Sequence, residues 1–313
     1  NTTGSQTYQS NVTIEGDVTI NALGEVAFEG DVRGENEIRD SGWATSAGGS
    51  SDTYGKSIST LADGSSVVTG VFNGTATFGN KTFISRGKED IFVAKLAPDG
   101  TYEWATQAGG TATDSASSVT TLSDGSSIIT GYFHSTATFG DLPSITSASM
   151  SDVFVAKIDS SGTYEWVTRA GGTHPDIGHT ISVLADGSSI VTGHFNSEPA
   201  RFGDRELITQ GSNDIFVAKL ASDGTFEWAK QAGGVNSDVG HSISVLADGS
   251  SIVTGTFKGT ATFGNETLTS RGEEDIFITK LSSDGTYEWA KQAGGTATDS
   301  PTSVSVLADG SSI

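Results

Sequence analysis

Histidines and aspartates that recur at one spacing are the residues of this sequence best suited to chemistry. Asp176 and His179 belong to the stretch Asp-Ile-Gly-His, and Asp238 and His241 belong to Asp-Val-Gly-His, 62 residues later. Carboxylates and imidazoles that converge could hold a metal ion or a sugar hydroxyl. The alternative is a polar loop residue that bonds nearby backbone. No symmetric ring of ligands is expected, because the His position holds other residues in other copies: Lys56, Ser117 and Thr302.

A second set of candidates is acidic. Asp90, Asp214 and Asp275 each stand directly before an apolar run, next to clusters such as Gly-Lys-Glu-Asp and Gly-Glu-Glu-Asp. Calcium prefers oxygen-rich loops, so a calcium site at these aspartates is one interpretation. No Asp-x-Asp-x-Asp-Gly motif supports it. The other interpretation is a repeated ion pair, because a lysine follows each aspartate by five residues.

Catalysis requires a convergent and asymmetric set of groups, and the sequence contains no familiar one. Cys is absent, and neither a Gly-x-Ser-x-Gly elbow, a His-Glu-x-x-His motif nor a P-loop is present. We therefore predict that the chain is not an enzyme and has no cofactor other than the calcium considered above. The enzyme alternative depends on one histidine patch: His174, His179, His194 and His241.

Charge and composition exclude several classes of partner. The chain has 17 Lys plus Arg against 38 Asp plus Glu, a formal charge of -21 that repels nucleic acid and anionic lipid. No apolar run approaches the roughly 20 residues of a membrane helix, and no signal peptide is recognisable. Hydrophobic residues make up 35% of the chain, which is enough for a sizeable core.

The candidate histidines and aspartates belong to internal repeats, so the fold of the repeat must position them. Trp43, Trp104, Trp166, Trp228 and Trp289 are separated by 61 or 62 residues. The phrase Leu-Ala-Asp-Gly-Ser-Ser and the phrase Asp-Ile-Phe-Val-Ala-Lys recur with the same period. Such regular self-similarity indicates repeated structural units.

Each copy reads as two β-hairpins joined by Asp-Gly turns, with no helical periodicity. The apolar runs have two apolar faces, as in strands between neighbouring sheets. The sequence therefore predicts an all-β fold, a β-propeller of four-stranded antiparallel blades with four complete copies and a split or truncated fifth. The long period predicts an extended loop between the second and third strands, and each Trp is expected to fill the wedge between two sheets.

The phrases DIFVAKLAPDGTYEW, GSSIVTGTFKGTATFG and the closing AGG resemble the bacterial seven-bladed β-propeller repeat family. The resemblance covers residues 41–313 and implies a propeller outside the cytoplasm, within a large exported or surface protein, with no catalytic residues to transfer. The fifth copy stops at Ile313, before its third strand. We interpret this as truncation of a longer chain, whose open last blade could self-associate.

Residues 1–40 have a shorter period and are predicted to form a separate segment. Glu15-Gly16-Asp17-Val18 returns as Glu29-Gly30-Asp31-Val32, 14 residues later, with alternating apolar and polar residues around both copies. The alternation predicts short strands. They form either a β-hairpin cap or the end of a β-solenoid like those of bacterial adhesins.

The topology assigns the variable segments to one face. The Asp-Gly turns lie on the opposite face, called the turn face here, whereas the second-to-third connections and the inter-blade connections lie on the loop face. We predict a non-enzymatic structural or adhesive interaction module of a larger bacterial surface or secreted protein, extracellular or at the cell surface, which binds a protein partner by its loop face. A lectin that binds carbohydrate there is the alternative, although the recurrent phenylalanines fit the core better than sugar platforms: Phe78, Phe139, Phe202 and Phe263.

Overall fold

A computed structural model of the protein describes residues 43–307 and 311–312, together with the backbone of four short strands nearer the N terminus. The chain divides into two compact units, residues 1–44 and residues 45–313. No helix in the described part of the chain is long and apolar enough to cross a membrane.

The N-terminal unit contains four short strands that pair in parallel. Strand β1 (Gln6–Tyr8) pairs with β3 (Val26–Phe28), and β2 (Val12–Thr13) pairs with β4 (Val32–Arg33). Both pairings join residues 20 positions apart, as in Gln6 and Val26, whereas the sequence motif repeats after 14. Most of residues 1–40 lies outside the described residues, so the hairpin and solenoid interpretations stay predictions.

The second unit confirms the predicted all-β propeller fold in its blades, each a sheet of four antiparallel strands in chain order. It begins with β5 (Gly48–Gly49). The first blade contains β6 (Thr53–Thr60), β7 (Ser66–Phe78), β8 (Lys81–Leu96) and β9 (Tyr102–Gly110). The second contains β10 (Asp114–Thr121), β11 (Ser127–Phe139), β12 (Ile145–Ile158) and β13 (Tyr164–Gly171).

The later blades follow the same plan. In the third blade a small hairpin, β16 (Ala200–Phe202) and β17 (Arg205–Leu207), stands between β15 (Ser189–Phe195) and β18 (Asp214–Leu220). Its outer members are β14 (Asp176–Val183) and β19 (Phe226–Gly234). The fourth blade contains β20 (Val239–Val245), β21 (Ser251–Phe263), β22 (Glu266–Leu281) and β23 (Tyr287–Ala293).

The predicted Asp-Gly turns are confirmed, and their geometry explains their sequence. In the first blade, Leu61 N–H donates to the Ser65 carbonyl at 2.8 Å, while Gly64 adopts a φ of +85°. A residue other than glycine would be strained there. The Asp63 carboxylate accepts the Ser65 amide at 2.8 Å and so completes the turn.

The predicted loop between second and third strands is wrong, because both strands continue through it. Strand β21 runs to Phe263 and β22 starts at Glu266, leaving only a two-residue Gly-Asn turn. A bulge between Lys258 and Thr260 redirects the hairpin, whose outer half pairs with Gly233 and Gly234 of the preceding blade. The insertion thus joins neighbouring blades by backbone hydrogen bonds.

Recurrent aromatic side chains form the core, as the alternation of apolar and polar residues predicts. Phe78, Phe139, Phe202 and Phe263 are at most 1% exposed. The Phe263 ring centroid lies 4.8 Å from that of Phe277. These four phenylalanines are therefore core residues and cannot stack on a ligand.

The recurrent tryptophans bind each blade to the next, which extends the predicted wedge role. The indole N–H groups of Trp104, Trp166 and Trp228 donate to the carbonyls of Ser160, Ser222 and Ser283, at 2.9, 3.1 and 3.1 Å. These acceptors belong to the turn between third and fourth strands of the following blade. Trp43 differs because it is 42% exposed.

The fifth copy begins with the same pattern as the others. Val306 and Ser312 form an antiparallel bridge, and Leu307 N–H donates to the Ser311 carbonyl at 2.7 Å. Val304 N–H donates to the Ser242 hydroxyl at 3.1 Å, which holds this segment against β20. The number of blades in an intact ring stays a prediction.

Candidate functional site

Each blade has a β-bulge in its innermost strand, and the predicted histidines are the bulged residues. The pairing register with the second strand shifts between Gly178 and Thr180, and again between Gly240 and Ser242. A bulge turns an extra side chain away from the regular ladder. The name "bulge row" is used below for the extra residues of the four blades: Lys56, Ser117, His179 and His241.

Hydroxyl groups hold the innermost strands of successive blades side by side, which brings the bulge row together. Val119 N–H donates to the Ser57 hydroxyl at 3.2 Å, one repeat earlier. The backbones approach closely, since a Cβ added at Gly240 would lie 2.4 Å from the Thr192 hydroxyl oxygen of the preceding blade. Packing therefore requires the glycine before the bulge at Gly240 and likewise at Gly178, where an added Cβ would lie 2.5 Å from the Thr130 hydroxyl oxygen.

Three of the four histidines of the predicted patch lie together. His179 Nε2 and His194 Nδ1 share a hydrogen bond at 3.0 Å. The His241 ring centroid lies 5.9 Å from that of His179, and its Nε2 lies 3.3 Å from the Thr256 hydroxyl. The fourth, His174, bonds a different group: its Nδ1 lies at hydrogen-bond distance from the Thr173 hydroxyl.

These histidines are neutral at physiological pH. Burial lowers the pKa of His179 to about 3, with a smaller contribution from His194 and His241. Burial likewise lowers the pKa of His194 to about 4. The pKa of His241 is also lowered by burial, and Glu274 opposes the shift. Uncharged imidazoles of this kind accept or donate hydrogen bonds but cannot act as general acids near pH 7.

The two aspartates of the Asp-x-Gly-His stretches face away from the histidines into backbone. Asp176 accepts the Gly172 amide at 2.8 Å, the Asn196 amide at 3.0 Å and the Ser197 hydroxyl at 2.7 Å. Asp238 accepts the Gly234 and Lys258 amides at 2.8 and 3.0 Å. The structure therefore brings the histidines together but not the aspartates with them. Their role in ligand binding stays a prediction.

Asp90, Asp214 and Asp275 belong to the third strand of three different blades, Asp214 as its first residue and the other two within it. Each accepts a backbone amide from the residue four positions earlier, at 3.0 to 3.2 Å. In the described part of the chain, no group of three or more His, Asp or Glu side chains is placed to hold a metal ion. Calcium at these aspartates stays a prediction without a ligand set.

The predicted ion pair between these aspartates and the following lysines is wrong. Lys95 Nζ lies 2.9 Å from Glu103 on the neighbouring strand, and the pair recurs in every blade, as in Lys219 and Glu227. Residues five apart in a strand point to opposite faces, so Asp90 and Lys95 cannot meet. The sequence could have indicated the glutamate as the partner of each lysine, because a glutamate directly precedes every Trp except Trp43.

A groove of about 560 Å³ is lined by residues outside the bulge row. Thr45, Ser46 and Gly49 line one side, and Thr77 and Tyr102 line the other. It shares no residue with the histidine cluster. Strand β5, beside it, pairs with β7 alone among the described strands, whereas β9 pairs with both β8 and β11.

Comparisons with known proteins give distant likenesses. No protein-family model matches the chain. An uncharacterized WD repeat-containing protein of Acanthamoeba polyphaga mimivirus is 26% identical over 150 residues, 44% of this chain and 11% of that protein. The chain thus spans about a tenth of the length of this curated relative.

Two solved structures are similar at 11% identity and a TM-score of 0.34. One is a protein of unknown function from Bacteroides caccae, with 76% of this chain and 81% of that chain covered. The other is the WD40 β-propeller domain of Doa1, with 85% and 90% covered. At such TM-scores the likeness carries no argument, and the propeller fold rests on the strand topology described above.

Proposed function

We propose that the chain is a non-enzymatic protein-interaction module that binds its partner through the loop face. We further propose that it belongs to the bacterial seven-bladed repeat type and works outside the cytoplasm, within a larger surface or secreted protein. The observation that carries the interaction proposal is a recurrence of exposed apolar side chains at the loop-face rim.

Exposed apolar side chains recur between blades at this rim, although Tyr54 and Ile58 on the innermost strand β6 are exposed as well. Ile84 and Ile208 occupy equivalent positions on the outer part of the second hairpin and are 68% and 60% exposed. Met150 is 50% exposed and Val235 is 74% exposed. The Val235 backbone lies against Gly211 of that hairpin, since a Cβ added at Gly211 would be 2.4 Å from the Val235 carbonyl carbon.

Scattered exposed apolar residues are ordinary, but repetition at one rim favours a contact surface. The surrounding chain is strongly acidic, so the partner is expected to offer apolar side chains with basic residues around them. The rest of each blade repeats the same core and thus acts as scaffold. Neutral, mutually bonded histidines give no support to the enzyme alternative.

A carbohydrate-binding function is the second candidate, and the bulge row would carry it. The aromatic platforms that a lectin would use are absent at the recurrent phenylalanines, which are buried. Polar groups at the row, such as Lys56 and His241, could still bind sugar hydroxyls.

The test uses residues from equivalent positions of other blades, so that the fold is retained. The rim variant combines Ile84→Thr and Ile208→Thr, copied from Thr146 and Thr269, with Val235→Thr, copied from Thr111. A matched control on the turn face carries Ala97→Ser and Ala221→Ser, copied from Ser282.

Wild-type protein and both variants are tested against panels of secreted and surface proteins and a glycan array, with calcium or with chelator. We expect protein binding that the rim variant loses at least tenfold and the control retains. Binding to glycans alone would instead favour the lectin. Turnover of any defined substrate would refute the non-enzymatic role, and protein binding unchanged in the rim variant would refute the rim.

A further inference from the structure

Pairs of buried aspartates lie where each blade meets the next. Asp90 and Asp114, Asp152 and Asp176, and Asp214 and Asp238 form three such pairs, and all six residues are 0% exposed. In each pair the first member belongs to a third strand, and the second precedes or starts the innermost strand of the following blade.

A glycine separates the two carboxylates of each pair. At Gly233, with a φ of +145°, an added Cβ would lie 2.7 Å from Asp214 Oδ1 and 3.0 Å from Asp238 Oδ2. Asp214 Oδ1 has no hydrogen-bond partner, although Oδ2 accepts the Gln210 amide at 3.0 Å. One oxygen of this wholly buried carboxylate therefore has no donor of its own, as do Asp90 Oδ1 and Asp152 Oδ1 in the other two pairs.

Arginines neutralise two of the three pairs. Arg169 Nη1 lies 2.6 Å from Asp152 Oδ2 in the second pair. In the first pair the positive charge of Arg86 acts on Asp90, and Arg86 Nη1 bonds the Gly109 carbonyl at 3.0 Å. Unpaired charge is costly in the interior, so these arginines favour the ionised carboxylates, although burial still raises the pKa values of Asp90 and Asp152 to about 6.

The third pair has no arginine at either position. The residue equivalent to Arg86 is Gln210, and the residue equivalent to Arg169 is Gln231. The Gln231 amide instead bonds the Ile208 backbone at 3.2 and 3.0 Å.

The charged groups around this pair do not compensate for the missing arginine. Glu274 adds a further negative charge that acts on Asp238. From β21, Lys258 offers only its backbone amide to Asp238, because its ammonium group bonds Glu273 at 2.5 Å.

We propose that Asp214 and Asp238 share a proton under mildly acidic conditions in place of the missing arginine, and that losing it as pH rises loosens the junction between the third and fourth blades. Two carboxylates at one buried site cannot both ionise without a large penalty. Proton binding removes one charge and gives the unpartnered oxygen a donor. The other two junctions keep their arginines and should loosen less over the same range.

The pKa shifts agree with this geometry. Burial raises the pKa of Asp214 to about 6. Burial raises the pKa of Asp238 to about 7, and the charges on Asp214 and Glu274 contribute. A carboxyl whose pKa is raised by folding contributes stability below its unfolded pKa, and that stability is lost as pH rises through the folded value. The junction should therefore weaken between about pH 5 and 7.

Hydrogen exchange of the full chain, read separately for each junction and corrected for the intrinsic exchange rate, tests the proposal. We expect protection of residues 226–245 to fall about tenfold per pH unit between pH 5 and 7. Protection of residues 164–183, at the junction that contains Arg169, should fall less.

The deciding variant is Gln231→Arg, which copies Arg169 into the third junction. It should flatten the pH response at residues 226–245, whereas Gln107→Arg, at the equivalent position of the first junction, should leave that response unchanged. Asp238→Asn provides a second test that needs no new charge, because it removes one titrating group and should also flatten the response.

Carbon-13 labelling of aspartate gives an independent readout, and a carboxyl titrating near pH 7 should vanish in Asp238→Asn. A pH response retained in both variants would overturn the proposal. So would a response abolished by calcium and restored by chelator, because a metal ion and not a proton would then neutralise the pair.

Discussion

The contact between each tryptophan and the turn of the next blade can be tested by adding one methyl group at Gly224. Gly224 has a φ of +85°, and an added Cβ would lie 2.7 Å from Trp166 Cε3 and 2.8 Å from Cδ2. Gly187 offers the matched control, with a φ of +83° but no atom nearer than Ser222 Cβ at 3.4 Å. Both alanine variants share the backbone strain, and only Gly224→Ala meets the indole.

The magnitude follows from these two contributions. An L-residue in this conformation costs about 1–2 kcal/mol, which is the expected loss for Gly187→Ala. Overpacking adds about 1–3 kcal/mol at Gly224, because the indole is held by its bond to the Ser222 carbonyl at 3.1 Å. We therefore expect Gly224→Ala to lose about 2 kcal/mol more than Gly187→Ala.

Urea unfolding of the full chain, followed by tryptophan fluorescence, measures the difference. The comparison holds if the dependence of the unfolding free energy on urea is unchanged between variants. Equal urea midpoints for the two variants would show that the indole moves away freely. The proposed contribution of the tryptophan contact to joining the blades would then be refuted.

Three further outcomes are expected. Trp166→Phe should lose about 1 kcal/mol of unfolding free energy with the indole bond to Ser222, and an unchanged urea midpoint would contradict the bond. Thr192→Val should lose about 1–2 kcal/mol in thermal unfolding, because the buried hydroxyl donates to the Phe216 carbonyl at 2.8 Å; a variant as stable as wild type would show that the carbonyl needs no such donor. The urea midpoint should be highest near about pH 4 and should fall towards pH 6, because stability from Asp90 and Asp152, whose pKa values burial raises to about 6, is lost as pH rises through that value. At the acid end, stability from Asp284 is lost as pH falls towards its pKa of about 2, which hydrogen bonds to Ser282 and Thr286 lower. A midpoint that climbs steadily from pH 5 to 8 would contradict this balance.

The hairpins could be predicted from sequence because their signals are local. Asp-Gly between two apolar runs specifies a turn that needs a positive φ, and Gly64 and Gly187 have one. The extended second hairpin escaped prediction for a reason that is also physical. Its two strands pair partly with the preceding blade, at Gly233 and Gly234, so their stability depends on contacts that no single repeat contains.

The candidate site was predicted in part. His179 and His241 were found from their spacing, and their meeting follows from neighbouring innermost strands. His194 joins them only through its register opposite Ile177, which sequence spacing does not reveal. The aspartate pairs were not predicted, because their chemistry depends on burial. The sequence alone does not show whether an aspartate before an apolar run is buried or exposed to solvent.

Trp104, Trp166 and Trp228 each lie 55 or 56 residues from the carbonyl they bond, within the length of one repeat. A gene segment of one repeat length, copied in tandem, would therefore carry a donor for the blade after it and an acceptor for the blade before it. Such a duplication leaves no bond of this kind broken at its boundaries, wherever the segment starts. The array can therefore lengthen or shorten by whole repeats without losing these contacts between blades.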